Sequence, residues 1–149
     1  MSYRKLTVDE LEELKEEFIQ YLVANGIDAK MWERFKEEDP EKADVFVQQF
    51  SQVVLESSLE RIQYLEHRTS TDLKLFFCDK EKIELIALKS KTVDLMSLSS
   101  FTAEDFKEIE VFTASKPYGK KRELELFEMT EKGCVITDHT LFRLLKQMV

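Results

Sequence analysis

The chain has 149 residues, 43% of them hydrophobic and 35% charged, with a formal net charge of -8. That length supplies a real core for one domain, and the composition excludes collagen-like, mucin-like and wholly disordered chains. No apolar run approaches the roughly 18–20 residues that span a bilayer, and the opening MSYRKLTVDELEELKEE has no apolar stretch behind its basic residues, so neither a membrane span nor an export signal is expected.

The first 70 residues read as helices. Thr7-x-x-Glu10 is a capping box, with Leu6 and Leu11 placed to staple the entry to a helix that carries Leu11, Leu14, Phe18, Tyr21 and Leu22 on one stripe. Asn25-Gly26 stops it, because both residues tolerate positive φ. Asp28 caps a short second helix with Met31, Trp32 and Phe35. Asp39-Pro40 opens a third, with Asp as cap and Pro in the first turn, expected to run to about Glu66. Its stripe of Ala43, Phe46, Val47, Phe50, Val53 and Val54 gives way near Ser57-Ser58 to Leu55, Leu59 and Ile62, rotated by about 100° at 3.6 residues per turn. The two halves are expected to serve different layers, the first facing helix one and the second facing a sheet.

After residue 70 the pattern changes to short β-branched and aromatic runs. Strands are expected at 73–78, 83–89, 109–114, 123–129 and 134–137, with a further piece at 92–96. Asp79 to Lys82 forms a polar hairpin link, and Glu131-Lys132-Gly133 a tight turn. Residues 99–106 form a short helix capped by Ser100 or Thr102. A last helix, capped by Thr137 or Asp138, carries Leu141, Leu144, Leu145 and Met148, with Phe142 off that stripe. The expected fold is α+β in a single domain, 1–149: a helical part (1–68) of about three helices, packed on a mainly antiparallel sheet of four to six strands, with a C-terminal helix (71–149).

Charge divides the same way. Residues 1–70 hold 9 Lys and Arg against 16 Asp and Glu, while residues 71–149 hold 13 against 14. The acidic first part repels phosphate backbones, so nucleic-acid binding is not expected. Cys78 and Cys134 lie far apart beside apolar residues, and a reduced, cytoplasmic chain is expected.

Four stretches, YRKLTVDELEELKEEFIQYL, IQYLEHR, FTASKPY and EKGCVIT, resemble a Bacteroidetes-type family of short uncharacterised bacterial proteins, a domain of unknown function. The similarity covers nearly the whole chain. It implies a bacterial cytosolic single domain and transfers no catalytic residue.

The stretch FTASKPYGKKRELELF carries the main functional candidate. Lys116-Pro117-Tyr118-Gly119 fits a type I β-turn at a hairpin tip. Around it, Ser115, Lys116, Tyr118, Lys120, Lys121 and Arg122, with Thr113, could grip a phosphate or an acidic peptide. No G-x-x-x-x-G-K-[ST] is present, so this is not a P-loop. His67, His139, Cys78 and Cys134 are all single, without the paired spacing of a zinc site, and no metal or cofactor is expected. Cys134, His139 and Asp138 form a nucleophilic triplet only on paper, since GCVIT reads as a buried strand. Asp94, Asp105 and Lys107 fit the loose spacing of metal-dependent nucleases, although Asp105 falls in a helix where that motif needs a strand. The sequence therefore favours a non-enzymatic binding or adaptor module for a protein or a small anionic ligand. A metal-dependent hydrolase using Asp94, Asp105 and Lys107 is the alternative, and homodimerisation a third reading.

Overall fold

The computed structural model describes residues 3–149. The chain divides into two compact units, Met1–Ser58 and Leu59–Val149. Among the described residues there are seven helices and one five-stranded sheet, and no helix is long and apolar enough to cross a membrane.

The first unit is built from α1 (Val8–Glu13), α2 (Lys15–Ala24), α3 (Ala29–Glu38) and most of α4 (Pro40–Glu60). Its caps form as the sequence dictates. Thr7 Oγ1 accepts from the Glu10 amide at 3.2 Å, and Glu10 returns a carboxylate oxygen to the Thr7 amide at 2.9 Å. Arg4 grips the same carboxylate at 2.7 and 2.9 Å, which with the Thr7 amide lowers the Glu10 pKa to about 2. Asp28 and Asp39 accept from the amides of Met31 and Lys42. Gly26, at φ +79°, takes the left-handed position after α2.

The expected single first helix is broken at Leu14, where φ and ψ are -103° and 22°. Glu12/Glu16 and Glu13/Glu17 lie four residues apart across that point, and such like-charge pairs oppose a continuous helix. The core of the unit is aromatic: Phe18 meets Trp32 edge-on at 5.2 Å and Phe50 at 5.0 Å, and Phe35 stacks on Phe46 at 6.3 Å. Val53, which spacing places on the buried stripe of α4, is instead 56% exposed. Ser51 takes an inner position, fully buried, accepting from the Leu6 amide at 2.9 Å and donating to the Val47 carbonyl at 2.7 Å. Ser51→Ala strands that amide and is expected to cost about 1–3 kcal/mol in chemical denaturation; a loss near zero would show that water reaches it.

The second unit holds β1 (Tyr64–Arg68), β2 (Asp72–Cys78), β3 (Lys82–Lys89), α5 (Ala103–Lys107), β4 (Glu110–Pro117), α6 (Arg122–Glu131), β5 (Val135–Thr137) and α7 (Thr140–Met148). The strands are ordered β4-β3-β2-β1-β5, each pair antiparallel. Several expectations fail here. The third helix ends at Glu60, not near Glu66, because Tyr64–Arg68 is a central strand with partners on both sides. Leu65 on one face and Tyr64 on the other are both buried, which only a strand between two layers achieves.

Residues 123–129, expected as a strand, lie inside α6. ELELFEM alternates like a strand, but Glu, Leu and Met are strong helix formers, and the helix buries Leu124 and Leu126. Glu131-Lys132-Gly133 consequently ends a helix instead of joining two strands, with Gly133 at φ +106°. Residues 92–96 form no strand either. Ser90 Oγ accepts from the amides of Thr92 and Val93 and turns the chain, and the Leu95 amide donates to the Ser70 carbonyl. Arg68 holds the segment through the carbonyls of Leu95 and Leu98, at 3.2 and 2.6 Å. Thr102 caps α5 with a capping box to Asp105.

Alternation along the strands sorts the sheet into two faces. One carries Tyr64, Leu73, Leu75, Ile86 and Leu88, which form the buried core with Leu95, Ile109, Phe142 and Leu145. Here α7 departs from its expected stripe. Phe142, not Leu144 or Met148, is buried with Leu145, since its ring meets Tyr64 at 5.7 Å and Phe77 at 6.0 Å. The other face carries Leu65, His67, Lys74, Phe76, Ile83, Leu85, Ala114 and Lys116, and α6 lies over it.

Candidate functional site

The stretch singled out in the sequence is not a hairpin tip. Lys116 and Pro117 belong to β4, and residues 118–121 lead directly into α6. The expected Lys116–Gly119 turn is replaced by a different closure, in which the Gly119 amide donates to the Glu125 carboxylate at 3.0 Å. The cause is the helix: once 122–131 coils, Glu125 comes back over the bend that precedes it.

The six expected binding residues part company. Arg122 is half-buried and donates to four backbone carbonyls: Leu59 at 3.1 Å, Cys78 at 3.0 Å, Asp79 at 3.2 Å, and Ile62. Tyr118 donates its hydroxyl to the Asp79 carbonyl at 2.8 Å, and burial pushes its phenol up to about 12. Lys120 pairs with Glu128 at 2.7 and 3.0 Å. Lys121 is the N-cap of α6. By strand alternation Ser115 and Thr113 fall on the face opposite Lys116.

Lys116 belongs to a different constellation. Between α6 and the second face of the sheet lies a cleft of about 420 Å³. Phe76, Ile83, Leu85 and Ala114 give it an apolar floor, and Met129 of α6 an apolar wall. Lys74, Lys116, Lys132 and His67 stand around it, with Cys134 and Ser115 also on its lining. Among the described residues no acidic side chain lines it. Among the described residues, none of the three ammonium groups has a hydrogen-bond or ion-pair partner. In a chain of net charge -8, three unneutralised cations around one apolar cleft form a local positive field.

The backbone explains why they gather. Lys74 faces His67 across the β1–β2 ladder, and Lys116 faces Ile83 across β3–β4. Lys132 arrives at the end of α6, where a cation favours the helix dipole. Gly133 lets the chain turn beside the His67 ring because its φ of +106° is one that side-chain-bearing residues rarely adopt. Burial raises the Cys134 thiol pKa, against a smaller opposing pull from Lys74.

The other chemical candidates have partners of their own. The Asp138 carboxylate accepts from the Thr140 amide, while His139 lies 6.5 Å from the Tyr64 ring; the histidine lining the same cleft as Cys134 is His67. Asp94 accepts from the Met96 amide, Asp105 from Thr102, and Lys107 pairs with Glu104 at 3.2 Å. Among the described residues there is no group of three or more His, Cys, Asp or Glu side chains placed to hold a metal ion. A second groove, of about 650 Å³ in the first unit, has a mixed rim of Glu12, Asp28 and Glu33 with Lys15 and Lys36, and so favours neither sign of charge.

A sequence signal for the cleft existed in Lys74, the one charge within the strand-forming run LKLFFC. A family model described as a family of unknown function (DUF6495) matches residues 1–149. No curated protein and no solved structure matches the chain.

Proposed function

We propose that this chain, which belongs to the DUF6495 family of unknown function, is a binding module for a small organic anion with an apolar body, held in the cleft between α6 and the sheet. The observation that carries this reading is the pairing of an apolar floor with three ammonium groups that have no counter-charge among the described residues. Ligand sites commonly combine apolar walls with a few polar groups that fix orientation. Here Phe76, Leu85 and Met129 take the ligand body, and Lys74, Lys116 and Lys132 its anionic head. The free thiols of Cys78 and Cys134 suit a cytoplasmic setting.

Decanoate, titrated calorimetrically against the whole protein, tests the reading, with decanol as the uncharged control. Saturable decanoate binding is expected. Lys74→Gln, Lys116→Gln and Lys132→Gln together are expected to weaken it at least about tenfold, equivalent to about 1.4 kcal/mol, with decanol affinity unchanged. Absence of saturable binding, or equal affinity in the triple variant, would overturn it.

A further inference from the structure

Among the described residues no strand lies beside the outer edge of β4. It is long for such an edge, Glu110–Pro117, and only Val111 along it is not exposed. Native edges of this length are normally covered or interrupted, because their free N–H and C=O groups invite another strand. The sequence along this edge reads the same in charge from both ends of an antiparallel pair. Glu110 begins it, Lys116 closes it, and the five residues between them are uncharged. Among the described residues neither charge has an ion-pair partner. Phe112, near the middle, is 62% exposed.

We propose that two copies of this chain join edge to edge through β4, antiparallel, with Thr113 on the two-fold axis. In that register Thr113 faces Thr113 of the second copy, Phe112 faces Ala114, Val111 faces Ser115, and Glu110 faces Lys116, each unlike pair occurring twice. Positions equally far from a central residue share parity. The groups that point away from β3 in one copy therefore meet the corresponding groups of the other. Directly opposed side chains stand about 4.5–5.5 Å apart, close enough for both Glu–Lys pairs to form and to reject the parallel or shifted alternatives. Pro117, which cannot donate, lies just beyond the paired residues and ends the ladder without interrupting it. The interface is isologous and closes at two copies.

The arrangement also reaches the cleft, a consequence that rests on the binding reading above. Phe112, Ala114 and Lys116 share the sheet face on which the cleft lies. The second copy sets its Phe112 beside Ala114, extending the apolar floor at its open margin. Its Glu110 comes beside Lys116, where it competes with a bound anion for that ammonium group.

Sedimentation of the ligand-free protein over a concentration series tests the dimer without reference to any ligand. The mass is expected to rise from 17.6 kDa to twice that value. Glu110→Lys and Lys116→Glu should each weaken the dimer at least about tenfold, since each sets like charges opposite one another at two places. The variant carrying both changes should restore it. Thr113→Cys should cross-link two copies under mild oxidation, with the parent chain as control for Cys78 and Cys134. A chain that stays monomeric throughout, a dimer indifferent to either reversal, failure of Thr113→Cys to cross-link, or open polymers from β4 meeting β5 would each overturn the proposal. Decanoate binding that survives in a strictly monomeric protein would remove the dimer and leave the cleft standing; a dimer that binds no decanoate would do the reverse.

Discussion

Arg122→Ala lowers the stability of the second unit by about 3 kcal/mol or more, read as a shift of the urea midpoint, because hydrogen bonds to a charged donor are worth about 1.5–3 kcal/mol each. The guanidinium serves the carbonyls of Leu59, Ile62, Cys78 and Asp79 at once. Those carbonyls belong to the chain entering the sheet and to the turn between β2 and β3. Without the guanidinium all four lose their charged donor together. Arg122→Lys recovers little, since a single ammonium cannot reproduce a planar fork with donors on three nitrogens. A loss below about 1 kcal/mol, the range of exposed pairs, would mean that Arg122 is ornamental to folding and free to meet a ligand.

Leu145→Ala is the second large effect, expected to cost about 3 kcal/mol and to lower the melting temperature by about 10 °C. Leu145 is fully buried in the cluster with Leu73, Leu75, Ile86 and Leu88 and has no route to collapse around a missing side chain. Leu144, adjacent in sequence, is 38% exposed. Its replacement by Ala is expected to cost under about 1 kcal/mol, since little apolar area leaves water there. The pair is a direct measure of which side of α7 faces the sheet; equal losses at both positions would place the helix in a different rotation.

The parts of the fold legible in the sequence were those fixed by near neighbours. Thr7 with Glu10, Asp28, Asp39 with Pro40, and Thr102 all cap helices through contacts within three residues. The β2–β3 hairpin follows from two apolar runs and a three-residue polar link. Tyr64–Arg68 was missed because its state is decided by β2 and β5, partners that no local pattern reveals. Residues 122–131 were missed because the alternating Glu-Leu run has the two-residue period of a strand, whereas the helix propensity of its Glu, Leu and Met residues, with the burial of Leu124 and Leu126, decides for the helix. The site was half legible for the same reason. Lys116 stood in the stretch that drew attention, but Lys74 and Lys132 reach it through strand pairing and a helix end. Arg122 and Tyr118 looked like ligand groups because their backbone acceptors lie in the β2–β3 turn, distant in sequence.

Strand order also sets a timetable. Three residues close the link from β2 to β3, whereas residues 69–134 must be gathered before β5 can meet β1. Chain-closure entropy makes the second event costlier by about 3 kcal/mol, and β5 offers only three residues in return. The meander at the centre therefore zips first, and the final short strand docks last and frays first. A nascent chain emerging from the ribosome would hold most of its ladder while one margin was still waiting for its partner.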